Sequence, residues 1–318
     1  MENKKNTKKK NIIKVLYSDR TARTLFFAII SIIIMGSLRP KKITGMHEKK
    51  YWATKISWID YADAIVTGDS RILGGISPGT MEETLKDRCI VNYGFASNLY
   101  DTKYLDAIGK VLRKNSNQKT IILGITPHSL TDDPGITGQF LALKSLSKKD
   151  IYMHMHFASL YSFFEYMSFH DAMIGLFPNM SKSNTHKELF SDGWLAYSKK
   201  SPGKKKELKN YLKIYERCQI NQDMIDNLME YVSKWSTSDI KVYGFLVPTC
   251  KEMFEIEEQY SGFNLSKFKQ TFQNSGGRWI EIDPTAYDSF DGSHLQRESA
   301  VQLSKDLALK IFEREQQE

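Results

Sequence analysis

Cysteine is scarce in this chain, with only Cys89, Cys218 and Cys250 in 318 residues, odd in number and widely spaced. That excludes a disulfide framework and a Cys-x-x-Cys metal site, and leaves three packing cysteines. Phosphate-cradling loops are lacking too, since there is no GxxxxGK[ST] and no GxGxxG after the first predicted strand. Basic charge is concentrated in one place. The formal net charge is +8, but residues 1–23 carry eight Lys and Arg against two acids, so everything after them sums to only +2. An arm, not a face, holds the basicity, which excludes a nucleic-acid surface on the body of the protein. No internal repeat appears, and no low-complexity tract beyond the lysine-rich start.

Long apolar runs are equally rare. Leu25 to Leu38 is the one strongly apolar stretch, and a helix over 24–38 would cover about 22 Å against a hydrocarbon core of about 30 Å. It reads as an uncleaved transmembrane signal anchor, ahead of a cleaved signal or a buried globular helix, because no small-x-small site precedes Arg39-Pro40-Lys41-Lys42. The larger basic excess lies before it, so the arm 1–23 is expected in the cytoplasm and the rest outside, on a single-pass protein of the cytoplasmic membrane.

What is present is an ordinary globular composition, 41% hydrophobic and 26% charged, long enough for a sizeable core. After a linker at 39–63, short Ile/Val/Leu-rich runs predict strands near 64–68, 89–93, 119–125, 240–247 and 278–282. Helix-period segments at Gly79–Leu85 and Tyr100–Arg113 lie between them. The alternation predicts an α/β domain over 64–318 with a mostly parallel five-stranded sheet and helices on both faces.

A helical insertion is expected at about 131–235. It opens on the loop signal Asp132-Asp133-Pro134-Gly135 and continues through Ile151 to Phe157, Tyr161, Phe163, Phe164, Tyr166, Met167 and Phe169. Such an aromatic stripe is core or, from its place between strands, a lid or acceptor wall. His154-x-His156 lacks a nearby third ligand, so no metal and no cofactor is assigned. Lys199–Lys206 reads as a solvated loop, and Leu208–Trp235 as a long amphipathic helix with a break at Asn221.

The chemistry starts where the first strand runs into Gly68-Asp69-Ser70. A buried strand ending on Gly and an exposed hydroxyl presents a nucleophile at the carboxyl edge of a sheet, unless Asp69 or Ser70 merely caps the next helix. A serine needs a base, and the base needs an orienting group. Among seven histidines, His294 has that company: Asp291-Gly292-Ser293-His294 follows the last predicted strand and precedes a helix at Leu295–Phe312. Arg71, beside the nucleophile, would pair with an acidic substrate group or sit in a buried ion pair.

An early Gly68-Asp69-Ser70 with a late Asp291-x-x-His294, followed by Ala300 and Leu303, resembles the SGNH, or GDSL-type, hydrolase superfamily. The resemblance implies a flavodoxin-like three-layer sandwich and a triad of Ser70, His294 and Asp291. It also implies that Asn92-Tyr93-Gly94 is the block whose glycine amide joins the Ser70 amide at the oxyanion. The chain departs at the third block, where Gly-x-Asn-Asp is usual and Gly124-Ile125-Thr126-Pro127-His128 stands instead. Either Asn98, Thr126 or His128 supplies the missing donor, or the backbone amides of Ser70 and Gly94 suffice.

The layout is similar to membrane-anchored SGNH proteins of teichoic-acid D-alanylation and exopolysaccharide O-acetylation, and Ser191-Asp192-Gly193-Trp194-Leu195 is faintly similar to a motif in the alginate-type proteins. That likeness implies O-acyl transfer to a cell-envelope or extracellular polysaccharide through an acyl-Ser70 intermediate. A membrane-bound O-acyltransferase would be the partner supplying the acyl group. A simple carbohydrate esterase or deacetylase and a non-catalytic accessory subunit are the rival expectations.

Overall fold

Short branched-chain runs form strands here because both of their faces are buried between helices. The structure, a computed structural model, describes residues 19–38, 43–133, 138–164, 185–199 and 203–317. Residues 1–18 of the basic arm, Arg39 to Lys42, Pro134-Gly135, Tyr166, Met167, Phe169 and Ser201-Pro202 lie outside them.

The first half runs α1 (Arg20–Leu38), β1 (Thr44–Gly45), α2 (Glu48–Ile56), β2 (Ala64–Thr67), α3 (Ser70–Gly75), α4 (Pro78–Glu82), β3 (Ile90–Asn92), α5 (Thr102–Val111), β4 (Thr120–Ile125) and a 3-10 turn (Pro127–Leu130). Then come α6 (Gln139–Lys144), α7 (Lys148–His156), α8 (Ala158–Phe164), β5 (Thr185–Leu189), β6 (Leu195–Lys199), α9 (Lys204–Arg217) and α10 (Gln222–Thr237). The chain closes with β7 (Lys241–Leu246), α11 (Lys251–Tyr260), α12 (Leu265–Asn274), β8 (Arg278–Trp279) and α13 (Arg297–Glu315).

Two compact units result, one of Met1–Lys42 with Met153–Lys182, the other of Ile43–Tyr152 with Ser183–Glu318. In the first, α1 packs on α8. No helix among the described residues is long and apolar enough to cross a membrane. Of the described part of the aromatic stripe, Ile151 and Tyr152 belong to the second unit and Met153 to Phe164 to the first.

The second unit is an α/β body whose five strands are all parallel, in the order β3-β2-β4-β7-β8. Renumbered within this sheet the order is 2-1-3-4-5, as in flavodoxin-like sheets, with the switch point between β2 and its two neighbours. Period-two alternation splits the core in two. Ile65, Val91, Ile121, Leu123, Ile125 and Val242 face α5, α10 and α12, while Val66, Ile90, Ile122, Tyr243 and Phe245 face α13.

Two expectations fail here. Residues 43–63 are not simply a linker: α2 buries Tyr51, Ala53, Lys55 and Ile56. The insertion is not only helical either, since β5 and β6 form an antiparallel hairpin that β1 joins in a second, three-stranded sheet. Its turn, Ser191 to Trp194, seats on the outer edge of β3, where the Asn92 amide donates to the Asp192 carbonyl at 2.8 Å. An edge strand's unpaired amide is thereby satisfied. The expected break at Asn221 is present, because its side chain caps α10 by accepting from the amides of Asp223 and Met224.

Candidate active site

The turn out of β2 is sharp because Gly68 adopts φ +156° and packs where a Cβ would lie 2.6 Å from Ile72 Cγ1 and 3.0 Å from the Gly124 carbonyl oxygen. Asp69 then caps α3 by accepting from the Arg71 amide at 2.9 Å, while its other oxygen accepts from Thr126 Oγ1 at 2.8 Å. From α5, the Tyr104 hydroxyl donates to the Tyr93 carbonyl at 2.6 Å and accepts from the Gly68 amide at 3.2 Å. Tyr100 donates to the carbonyls of Thr67 and Gly124. The elbow is therefore held from three sides. Gly68→Ala is expected to lower stability by about 1–3 kcal/mol through strain and clash, read as a fall in the urea midpoint at unchanged slope.

This turn brings Ser70 to the carboxyl edge of the sheet, beside a residue 224 positions later in the chain. Ser70 Oγ lies 2.9 Å from His294 Nε2. On the other side of the ring, His294 Nδ1 lies 3.0 Å from Asp291 Oδ2 and 3.3 Å from Oδ1. Asp291 Oδ1 also accepts from the amides of Ser293 at 3.0 Å and His294 at 2.8 Å, which curls the loop so that carboxylate and imidazole meet. Burial works to push the Asp291 carboxyl pKa up, but the bonds from the His294 ring and from the two amides outweigh it and hold the pKa below its ordinary 3.8. An ionised Asp291 favours the proton on Nδ1, leaving Nε2 to accept from the serine hydroxyl. Phe290 stacks on the imidazole with ring centroids 5.8 Å apart, and Tyr197 from β6 lies 6.3 Å away.

The same geometry fixes an acid limit. A depressed carboxylate stabilises the fold above the unfolded value of 3.8, and the contribution is lost as pH falls through the lower folded value. Between about pH 5 and pH 2, the wild type is expected to lose more unfolding free energy than Asp291→Asn, measured by urea titration at each pH.

Behind the triad lies a buried cluster that ties its two halves together. Arg71 is 1% exposed; its Nε donates to Ser293 Oγ at 3.1 Å and its Nη2 to Glu257 Oε1 at 2.5 Å. Tyr215 donates to the same carboxylate oxygen at 3.2 Å, and the guanidinium sits 4.9 Å from the centre of the Tyr211 ring. Burial opposes the arginine's charge, and Glu257 more than restores it. The residue after Ser70 is thus bonded to the residue before His294. Arg71 occupies a buried ion pair and does not face an acidic substrate group.

The oxyanion expectations fare differently. The Gly94 amide is already engaged, donating to Asn92 Oδ1 at 2.9 Å, and a Cβ at Gly94 would lie 2.6 Å from the Leu73 amide nitrogen. Glycine is needed there for backbone approach, and the Gly94 amide is turned toward the Asn92 side chain. Asn92 itself donates to the carbonyls of Ile72 and Ile76, closing the end of α3. Asn98 is buried with its amide donating to the Leu99 carbonyl, and Thr126 holds Asp69. His128 is buried against Tyr211, with its imidazole pKa pushed down by burial. Among the expected donors, the Ser70 amide keeps the right character, being the first of the N–H groups that a helix cannot pair internally.

Glu257, Tyr211, Tyr215, Tyr100 and Tyr104 were not singled out from the sequence as site residues. Glu257 carried a signal, standing four residues after Met253 on the buried face of α11. The Ser191–Leu195 motif packs instead: Trp194 Nε1 donates to the Gly74 carbonyl at the end of α3. His154 and His156 lie on α7, and no group of three or more metal-ligating side chains occurs among the described residues. Compared with protein-family models, curated proteins and solved structures, the chain matches none.

Proposed function

We propose that this is a membrane-anchored SGNH-like serine O-acyltransferase or esterase acting on a cell-envelope or extracellular polysaccharide. The observation that carries the reading is the continuous relay from Ser70 Oγ through His294 to Asp291. Ser70 attacks the carbonyl of an acyl donor while His294 Nε2 takes its proton; the resulting oxyanion is received at the Ser70 amide. Collapse expels the leaving group, which takes the proton back from His294, and leaves an ester on Ser70. A carbohydrate hydroxyl then gives its proton to His294 and takes the acyl group, regenerating Ser70. Water as the second nucleophile yields the esterase reaction.

The anchor would be α1, whose apolar sequence follows a basic arm, and the acyl donor would come from a membrane-bound O-acyltransferase partner. An accessory, non-catalytic role has two observations in its favour: the Gly94 amide donates to Asn92 Oδ1, and the third block has no asparagine. One lost oxyanion donor costs about 3–4 kcal/mol of transition-state stabilisation.

The experiment is direct. Full-length protein in detergent is incubated with an activated acetyl ester, with and without oligosaccharide, and sugars are analysed by mass spectrometry. Acetylated sugar is the expected product. Free acetate alone at every acceptor concentration assigns the esterase, and no turnover by folded protein assigns the accessory subunit.

A further inference from the structure

Among the described residues, the first unit exposes several large apolar side chains. Along α1, Leu25 and Phe27 are each 62% exposed, Met35 60% and Ile34 51%. These positions fall on several sides of the helix, so packing on α8 covers only part of it. Exposed large apolar side chains grouped on one helix mark a membrane or protein contact. Alone, α1 is a weak spanning element: its 19 residues rise about 28 Å and include Arg20 and Arg23. Its packed neighbour α8, Ala158-Ser159-Leu160-Tyr161-Ser162-Phe163-Phe164, carries no charged residue and ends on Phe164, 70% exposed.

We propose that α8 is a second lipid-contacting segment, so that α1 and α8 engage an anionic bilayer as a pair. This rests on the anchored reading above and extends it to residues far along the chain. Charge selects the occupant. Residues 1–23 carry a net +6, and Arg39, Lys41 and Lys42 follow the helix, which suits an anionic lipid surface at about 1 kcal/mol per basic residue near it. Composition sets the depth. At seven residues α8 is about 10 Å long, and its aromatic and serine content places it at the headgroup boundary, where aromatic rings concentrate. The segment Ala158–Phe164 would then be held at the membrane surface together with the N-terminal helix.

The test uses the full chain in vesicles of phosphatidylcholine with phosphatidylglycerol, and in phosphatidylcholine alone. An environment-sensitive fluorophore is placed at Phe164→Cys, at Ile34→Cys and at Leu309→Cys on α13, with the three native cysteines replaced by alanine. In the native cysteine background, Phe164→Trp with brominated lipids provides a second measurement. The expected result is a severalfold fluorescence gain at 164 and 34 in anionic vesicles and none at 309. Position 164 should be quenched best by shallow nitroxide lipids and position 34 by deep ones. A signal at 164 matching that at 309, while 34 responds, overturns the proposal and leaves a lone-helix anchor. No response at either 164 or 34 overturns the anchored reading with it. A blue-shifted 164 without lipid means that protein covers α8, a second copy or another chain, and overturns the proposal as well.

Discussion

Ser70→Ala is expected to slow turnover of an activated acyl ester by about a thousandfold or more while leaving the folded structure intact. The oxygen removed is the attacking atom, and nothing else in the described site can replace it: Thr126 is bonded to Asp69, and Ser293 to Arg71 and Tyr211. Loss of a triad member leaves only what binding and the oxyanion donors supply. His294→Ala should fall to a similar floor, and the double variant no further, because the two residues act as one unit. A Ser70→Ala protein with more than a tenth of wild-type kcat would show that the hydroxyl is not a nucleophile.

The largest effect on stability is expected at Arg71. Arg71→Met strands a buried Glu257 carboxylate against Tyr215 and removes the bond to Ser293, a loss of about 3–5 kcal/mol by the general cost of breaking a buried pair from one side. Replacing both partners, Arg71→Met with Glu257→Met, should recover most of that free energy, since no uncompensated charge remains. The catalytic consequence separates from the structural one. The double variant restores packing but not the Arg71–Ser293 bond, so kcat stays low at recovered stability if that bond sets the distance from Ser70 to His294. Urea unfolding and ester kinetics on the same samples distinguish the two. Full recovery of kcat in the double variant would reduce the cluster to a stability device.

Much of this arrangement was written locally. The sheet strands were legible because Ile65, Val66, Ile121, Ile122 and Val242 belong to continuous apolar runs, the signature of strands covered on both faces. The Ser70–His294–Asp291 contact was legible because Gly68-Asp69-Ser70 follows a buried strand, and because Asp291 and His294 lie close enough in sequence for one loop to join them. At the Asn92-Tyr93-Gly94 block an equally local contact was not legible. Asn92, two residues before Gly94, offers its own side-chain oxygen to that amide, a competition that a glycine motif does not reveal.

Other features depended on distant partners. The helix Glu48–Ile56 read as linker because a lysine lies on its buried side: Lys55 is fully buried and donates to the Gly193 carbonyl at 2.9 Å, with its ammonium pKa pushed well down by burial. The hairpin Thr185–Lys199 carries too little hydrophobic alternation to announce strands, and its parallel partner Thr44–Gly45 lies some 140 residues earlier. Glu257 sat on an apolar helix face with no visible reason until Arg71 was placed beside it.

The proposed acyl transfer requires Ser70 to be an activated nucleophile. The most direct measurement is to treat the full-length protein with a fluorophosphonate and locate the adduct by peptide mass spectrometry. Stoichiometric modification of Ser70, slowed strongly in Asp291→Asn and abolished in His294→Ala, is the predicted result. A folded wild-type protein whose Ser70 remains unmodified, or reacts at the same rate without His294, would contradict it.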